Sequence, residues 1–161
     1  ELTENKTVYV IIKGVGRELI ISPNEYSGSQ LDHPITCTVD GNDTYNGYYK
    51  WINVINNDTW DYGYLKANAL MEIDFGKEVN LSSFYIYHWS SNYSATSMTL
   101  ETSVDGSKWV DWGEVSYAKR SSYYVNLSAP ENVRYMRIKF TSGGNGSYGI
   151  EIDGMAFFGN K

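Results

Sequence analysis

Hydrophobic and polar residues alternate along most of this chain, and short runs of Gly, Asn, Asp and Ser separate the alternating segments. In Arg134–Phe140, the apolar residues Met136, Ile138 and Phe140 alternate with charged ones. A period of two is that of a β-strand with one buried face and one solvated face. No segment of useful length shows the period of an amphipathic helix, so the pattern predicts an all-β fold.

The alternating segments recur at intervals of about ten residues, a spacing typical of a β-sandwich or barrel. We expect two sheets that bury their apolar faces against each other, as in a jelly roll. The predicted strands are Thr7–Ile12, Arg17–Ser22, Pro34–Val39, Ala69–Phe75, Ser83–His88, Met98–Ser103, Trp109–Tyr117, Ser121–Leu127, Arg134–Phe140 and Gly149–Phe158. The predicted core contains Ile73, Phe75, Ile86, Leu100, Trp109, Met136, Ile138 and Phe157.

The interval from Gly41 to Asn68 departs from this spacing because it is too long for an ordinary turn. It carries seven Tyr and Trp residues, a large aromatic surface to leave in water. A long segment of this kind in a compact domain is either a functional loop or a segment folded on itself. The sequence leaves both alternatives open.

Charge and cysteine content limit the partners and the setting. The chain has 161 residues, which is the size of one domain with a core of its own. Its net charge of −6 argues against nucleic acid and against membrane lipid as partners, because both favour a basic surface. Cys37 is the single cysteine, so no intrachain disulfide forms, and the alternation around it predicts a buried position.

Several motifs follow the predicted strands in order. A strand that ends in Asp-Phe-Gly precedes an apolar strand that ends in His-Trp, and the next strand leads into Ser-x-Asp-Gly-x-x-Trp. The motifs are Leu70–Gly76, His88–Trp89, Ser103–Trp109, Arg134–Ile138, Tyr148–Ile150 and Phe157–Gly159. Their order resembles that of the discoidin or factor V/VIII type C superfamily, whose microbial branch contains galactose-type carbohydrate-binding modules.

The resemblance covers roughly residues 20–159. It implies a galactose-binding-domain-like jelly-roll β-sandwich over residues 20–161, with residues 1–19 as an N-terminal extension or an added edge strand. The implied function is that of a non-catalytic carbohydrate-binding module, which binds galactose-type glycans within a larger secreted or cell-surface protein. Adhesion to a protein partner on a cell surface is the alternative function for the same fold.

The resemblance also implies that the ligand site lies where three loops meet at one end of the sandwich. A sugar ring stacks its C–H face on Tyr or Trp, while its hydroxyl groups bond to planar polar side chains. The glycan-binding candidates are Trp60, Trp89, Asn92, Tyr93, Asn145 and Tyr148. Trp51 lies in the first of these loops, and His88 either reaches the site or bonds to backbone.

A structural Ca²⁺ site is also implied by the resemblance, in the loop that here reads Val39–Thr44. The candidate ligands Asp40, Asn42 and Thr44 offer the hard oxygen donors that calcium prefers. The family completes the shell with a Glu, and this chain has Gly154 at that position. The loss of one carboxylate predicts a weak site.

The chain lacks a clear catalytic constellation. Two His and one Cys do not make the usual metal or nucleophile clusters, and no carboxylate pair stands out as acid and base. We therefore expect no enzymatic activity. N-x-S/T sequons favour an extracellular setting, either as glycosylation sites or as a by-product of Asn-rich loops. They begin at Asn5, Asn42, Asn57, Asn80, Asn92, Asn126 and Asn145.

Overall fold

The computed structural model describes residues 18–19, 35–47, 49–55 and 62–160. Within this part of the chain the regular elements are β-strands and two short 3₁₀ turns, Trp51–Ile55 and Ser91–Tyr93. The strands are β1 (Glu18–Leu19), β2 (Thr36–Val39), β3 (Thr44–Tyr45), β4 (Tyr49–Lys50), β5 (Gly63–Leu65), β6 (Leu70–Tyr87), β7 (Ala95–Ser103), β8 (Val110–Ser116), β9 (Ser122–Gly143), β10 (Ile150–Ile152) and β11 (Gly154–Asn160).

The main sheet is antiparallel and has the strand order β1-β11-β6-β9-β7-β8, with β2 also beside β6. Strand β6 pairs with β2 through its first half and with β11 through its second half. Register shifts interrupt its pairing with β9 between Asp74 and Val79 and again between Leu81 and Ser83. Such irregularities bend a strand, so the long strands curve around the core. The result is the predicted all-β jelly-roll sandwich.

The inward-facing residues of this sheet form most of the core. Seven of the eight predicted core residues are buried, which confirms the predicted strand phase: Ile73, Phe75, Ile86, Leu100, Met136, Ile138 and Phe157. The placement of Trp109 in the core is wrong. Trp109 is half-buried, immediately before edge strand β8, and the guanidinium of Arg137 lies 3.8 Å from its ring centroid. Cys37 is buried as expected.

Several predicted strand boundaries differ from the structure. The segments Ala69–Phe75 and Ser83–His88 belong to a single strand, because pairing with β9 resumes after the bulge. The segments Ser121–Leu127 and Arg134–Phe140 likewise join within β9. The last predicted strand divides at Asp153 into β10 and β11, which pair with different partners.

The segment from Gly41 to Asn68 is folded on itself over its described residues. A hairpin of β3 and β4 leads into the first 3₁₀ turn, and β5 follows before β6 begins. The buried residues of this turn are Trp51, Ile52, Val54 and Ile55. Trp51 is 4 % exposed, so it does not contribute to a ligand surface although it lies in the first of the three loops. Its indole packs into the core instead.

Strand β1 is an edge strand that pairs with β11, with Leu19 opposite Phe158. The predicted strand Thr7–Ile12 lies outside the described residues. The division into residues 1–19 and 20–161 therefore stays a prediction. Among the described residues, no helix has the length and apolar character that crossing a membrane requires.

Candidate functional site

Three segments meet at one end of the sandwich. Strand β5 pairs with β10, so that Tyr64 lies directly opposite Glu151. The loop after β6 contains the second 3₁₀ turn, and the loop after β9 contains a tight turn closed by Asn145 and Gly149. These two loops are joined because the amide of Gly144 donates to the carbonyl of Ser94 at 2.8 Å.

Glycines allow the loop after β9 to pack closely against its neighbours. A Cβ atom on Gly149 would lie 2.2 Å from the carbonyl oxygen of Leu65, and its φ of +96° disfavours other residues. A Cβ on Gly143 would lie 2.4 Å from the carbonyl oxygen of Ser94. These close approaches hold the turn against β5 and against the loop after β6.

Five tyrosines form one group of touching rings, which we call the tyrosine cluster: Tyr45, Tyr62, Tyr64, Tyr93 and Tyr148. The ring of Tyr64 lies at its centre, with centroid distances of 6.1, 5.7, 5.9 and 5.8 Å to the other four in that order. Most of these contacts are edge-to-face, the favoured arrangement of aromatic pairs. The cluster thus combines residues from four separate segments.

The cluster presents aromatic surface to solvent. Tyr148 is 64 % exposed and Tyr62 is 38 % exposed. Trp89, in the loop after β6, is 67 % exposed, and its backbone amide donates to the carboxylate of Asp153. Asn92 is exposed in the same loop. Exposed rings beside an amide side chain are the groups that a sugar requires.

Two buried acids lie beneath these loops. Glu151 is 5 % exposed and Asp153 is 2 % exposed. Burial raises the pKa of both carboxyl groups, and the charge of Asp153 raises the pKa of Glu151 further. The hydroxyl of Tyr64 donates to Glu151, and burial with this acidic neighbour raises the pKa of the tyrosine.

His88 lies in the same buried layer. Its Nδ1–H donates to the carbonyl of Glu151, and its Nε2 lies 3.4 Å from the hydroxyl of Tyr123. Burial lowers the pKa of His88 to about 4, because the charged imidazolium loses its hydration. His88 is fully buried and cannot reach a ligand at the surface. It supports the strand that carries Glu151.

The sequence agrees with this architecture, since the family model of the F5/8 type C domain matches residues 22–152. The chain belongs to the F5/8 type C domain family. No curated protein matches the chain significantly. The earlier resemblance is therefore confirmed at the level of the family.

Solved structures with this fold include several carbohydrate-binding modules. The family 32 module of Streptococcus pneumoniae EndoD is 14 % identical, covers 80 % of this chain and 97 % of its own, and has a TM-score of 0.64. CpGH89CBM32-5 from Clostridium perfringens, in complex with GalNAc-beta-1,3-galactose, is 12 % identical over 77 % of this chain and 94 % of its own, with a TM-score of 0.63. The family 32 module of C. perfringens NanJ, in complex with galactose, is 13 % identical over 77 % and 93 %, with a TM-score of 0.61.

The F5/8 type C domain brings together some of the predicted ligand residues. The rings of Tyr93 and Tyr148 lie 6.3 Å apart. Trp89 and Asn92 share the loop of Tyr93. Asn145 has a turn role, since its Oδ1 accepts the amide of Ser147 at 3.0 Å. Trp60 lies outside the described residues.

Tyr64 and Glu151 are absent from the predicted site, although the structure places them at its centre. Tyr64 is one of seven Tyr and Trp residues in the long interval, where the sequence pattern does not distinguish a core ring from a site ring. Glu151 alternates within a strand and reads as an ordinary surface acid. The signal in the sequence for a buried acid was the position of Glu151 between Ile150 and Ile152, both of which the structure buries.

The candidate calcium loop is a tight turn with left-handed backbone at Asp40 and Gly41. Oδ1 of Asp40 accepts the amide of Leu70 at 2.9 Å, so part of this carboxylate already serves the fold. Asn42 is exposed and Thr44 is half-buried. Beside this partly used carboxylate the loop offers amide, hydroxyl and carbonyl oxygens, and the calcium site stays a prediction.

Two grooves lie elsewhere, on the outer sheet face around Arg137. Their volumes are about 290 and 480 Å³, and both include Arg137 in their lining. The aromatic rings beside this residue are already covered. Arg137 lies over Trp109, and the guanidinium of Arg134 lies 5.0 Å from the ring centroid of Tyr135.

Proposed function

We propose that this F5/8 type C domain is a non-catalytic module that binds glycans at the tyrosine cluster. The observation that carries the proposal is the convergence of Tyr64, Tyr93 and Tyr148 from three segments, with Tyr148 left 64 % exposed. An exposed ring that adjoins a polar loop can stack on a sugar while side chains bond its hydroxyl groups. Trp89, Asn92 and Asn145 lie in the same two loops, and Trp60 is a further candidate.

The ligands of similar folds support galactose-type sugars as the first class to test. The NanJ module is described with galactose, and CpGH89CBM32-5 with GalNAc-beta-1,3-galactose. Another module of this fold is described as bound to GalNAc. We propose the same sugar class for this chain.

The outer sheet grooves are weaker candidates for the glycan site. Stacking requires a free ring face, and a guanidinium group already occupies one face of Trp109 and one face of Tyr135. Arg137 is also held by Glu72, with 2.8 Å between Nε and Oε1. A sugar there would have to displace these contacts.

A catalytic role receives no support from the buried polar layer. Glu151 and Asp153 have raised pKa values, but His88 beside them has no solvent-exposed atom and cannot act as their acid–base partner on a substrate. General acid–base catalysis needs its groups within hydrogen-bond reach of the reacting atoms. Asp153 and His88 support the neighbouring backbone instead, through the amide of Trp89 and the carbonyl of Glu151.

The alternative function is adhesion to a protein. It is favoured by Trp89, whose large ring is 67 % exposed, since tryptophan is enriched at the energetic centres of protein interfaces. In either case we propose an extracellular or cell-surface module of a larger protein. We also propose that Asp40, Asn42 and Thr44 hold a structural Ca²⁺ that stabilises their loop.

Titration with galactose, N-acetylgalactosamine and a glycan array tests the proposal. We expect dissociation constants on the order of 10⁻⁴ to 10⁻³ M, because each hydroxyl exchanges water for protein at small net gain. Tyr148→Ala should weaken binding at least ~10-fold with little change in melting temperature, since the ring is mostly exposed. Tyr93→Ala and Trp60→Ala extend the series.

Tyr124→Ala is the matched control, because Tyr124 is 42 % exposed but lies on the outer face of β9. It should leave affinity unchanged. Equal sugar binding by wild type and all cluster variants would place the site elsewhere. The adhesion alternative would be established by two results together. Wild type would bind no glycan, and it would bind a protein ligand that Trp89→Ala no longer binds.

A further inference from the structure

The carboxyl group of Glu151 is only partly used by the fold. The hydroxyl of Tyr64 donates to this carboxyl. Oε2 of Glu151 is buried and has no hydrogen-bond partner among the described residues. Buried polar atoms in folded proteins are nearly always hydrogen-bonded, so an exception calls for a specific explanation.

The sheet register points this carboxyl towards the tyrosine cluster. Glu151 of β10 is directly opposite Tyr64 of β5 in an antiparallel pair. Side chains of directly opposite residues lie on the same face of a sheet. The unpartnered acceptor is therefore on the side of the two-stranded sheet where Tyr64 contacts Tyr93 and Tyr148.

The negative charge around this acceptor is not balanced. Asp153 is the charged neighbour that acts on Glu151, and it has the same sign. The ion pairs within the described part of the chain, Arg134–Asp74 and Arg137–Glu72, involve other acids. A buried carboxylate without a cation favours a ligand that brings positive charge.

We propose that Glu151 makes the tyrosine cluster selective for glycans that carry a free amino group. This inference rests on glycan binding at the cluster. The ammonium group donates to Oε2 of Glu151, and the tyrosine rings add a cation–π attraction. Because Oε2 is buried, the side chain that covers it has to move aside when the ligand binds. A hydroxyl or acetamido group donates a neutral hydrogen bond, which is weaker than a charge-assisted one.

The test compares galactosamine, galactose and N-acetylgalactosamine by calorimetric titration at pH 7 and low salt. Wild type should bind galactosamine about tenfold more tightly than either neutral sugar, as expected for one added charge-assisted hydrogen bond. Glu151→Gln should bring this ratio close to one. Glu131→Gln makes the same charge change at an exposed position of β9 and should preserve the ratio.

Each outcome of these titrations has a distinct meaning. Neutral sugars that bind as well as galactosamine would overturn the amine selectivity and leave glycan binding intact. A preference that survives in Glu151→Gln would overturn the role of Glu151. If Nα-acetyl-lysine binds as tightly as galactosamine, the site selects cations and not amino sugars. If no sugar binds, the proposed function itself fails. If Glu151→Gln does not fold, two measurements still decide the question. One is the ratio of galactosamine affinity to neutral-sugar affinity in wild type. The other is the same ratio in Tyr64→Phe, which removes the hydroxyl that donates to Glu151 but keeps the ring.

Discussion

Acidification should destabilise this domain through His88. Burial lowers the pKa of His88 from 6.5 to about 4 in the folded state, whereas the unfolded chain keeps the ordinary value. Between these two values the unfolded state binds more protons, so stability is present above pH 6.5 and is lost as pH falls towards 4. At about 1.4 kcal/mol per pKa unit, the His88 contribution to this loss is about 3 kcal/mol.

Two neighbouring acids act in the opposite direction. Burial raises the folded-state pKa of Glu151 and Asp153, so their protonation favours the folded state as pH falls. The pH dependence of wild-type stability alone therefore does not isolate the contribution of His88. Comparison with His88→Gln does, because both acids titrate in both proteins and glutamine can still donate to the carbonyl of Glu151.

The assay is urea unfolding followed by tryptophan fluorescence at intervals from pH 7 to pH 4. Wild type should lose about 3 kcal/mol more than His88→Gln over this range. An NMR titration of the imidazole protons measures the pKa directly, and His33→Gln identifies the second histidine signal. Parallel stability curves for the two proteins, or a His88 midpoint near 6.5, would refute the reasoning.

Further predictions concern the core, the site scaffold and calcium. Leu100→Ala should lower the free energy of unfolding in urea by about 2–5 kcal/mol, because the side chain is buried. Val110→Ala, at an exposed position, should lower it by less than ~1 kcal/mol. Equal losses in the two variants would contradict the strand phase. Gly63→Ala places a Cβ atom 2.3 Å from the ring of buried Trp51 and should lower the free energy of unfolding by about 1–3 kcal/mol. An unchanged melting temperature would contradict this expectation. Calcium at a hundredfold excess over its Kd should add ~2.7 kcal/mol to stability, and chelator or Asp40→Asn should remove it. Unchanged melting in chelator, with no metal in elemental analysis, would exclude the calcium site.

The strand phase and the fold class follow from local pattern. A strand exposes alternate residues to opposite faces, so a period of two in sequence becomes a buried face wherever the sheet covers a core. Leu100, Met136 and Ile138 are buried for this reason. The ordered motifs around Asp105–Gly106 and His88–Trp89 indicated the family for a related reason, since turns and strand ends impose fixed residue types. Gly106 indeed has a φ of +74°.

The exposure of individual aromatic residues depended on tertiary structure. The sequence placed Trp109 in the core and Trp51 in a loop, whereas the structure buries Trp51 in the core and leaves Trp109 on the outer face under Arg137. Hydrophobic character predicts that a ring is covered but does not say which neighbour covers it. That depends on pairing between segments far apart in the chain.

The sequence by itself determined an all-β domain of the F5/8 type C family, the phase of its main strands, and the two loops that carry Trp89, Tyr93 and Tyr148. The tertiary structure alone decided that Tyr64 is the centre of the tyrosine cluster and that Glu151 lies beneath it. Alternation is a local property, and it is readable within one strand. The register between β5 and β10 is set by the whole sandwich, so the meeting of these two side chains has no local signal.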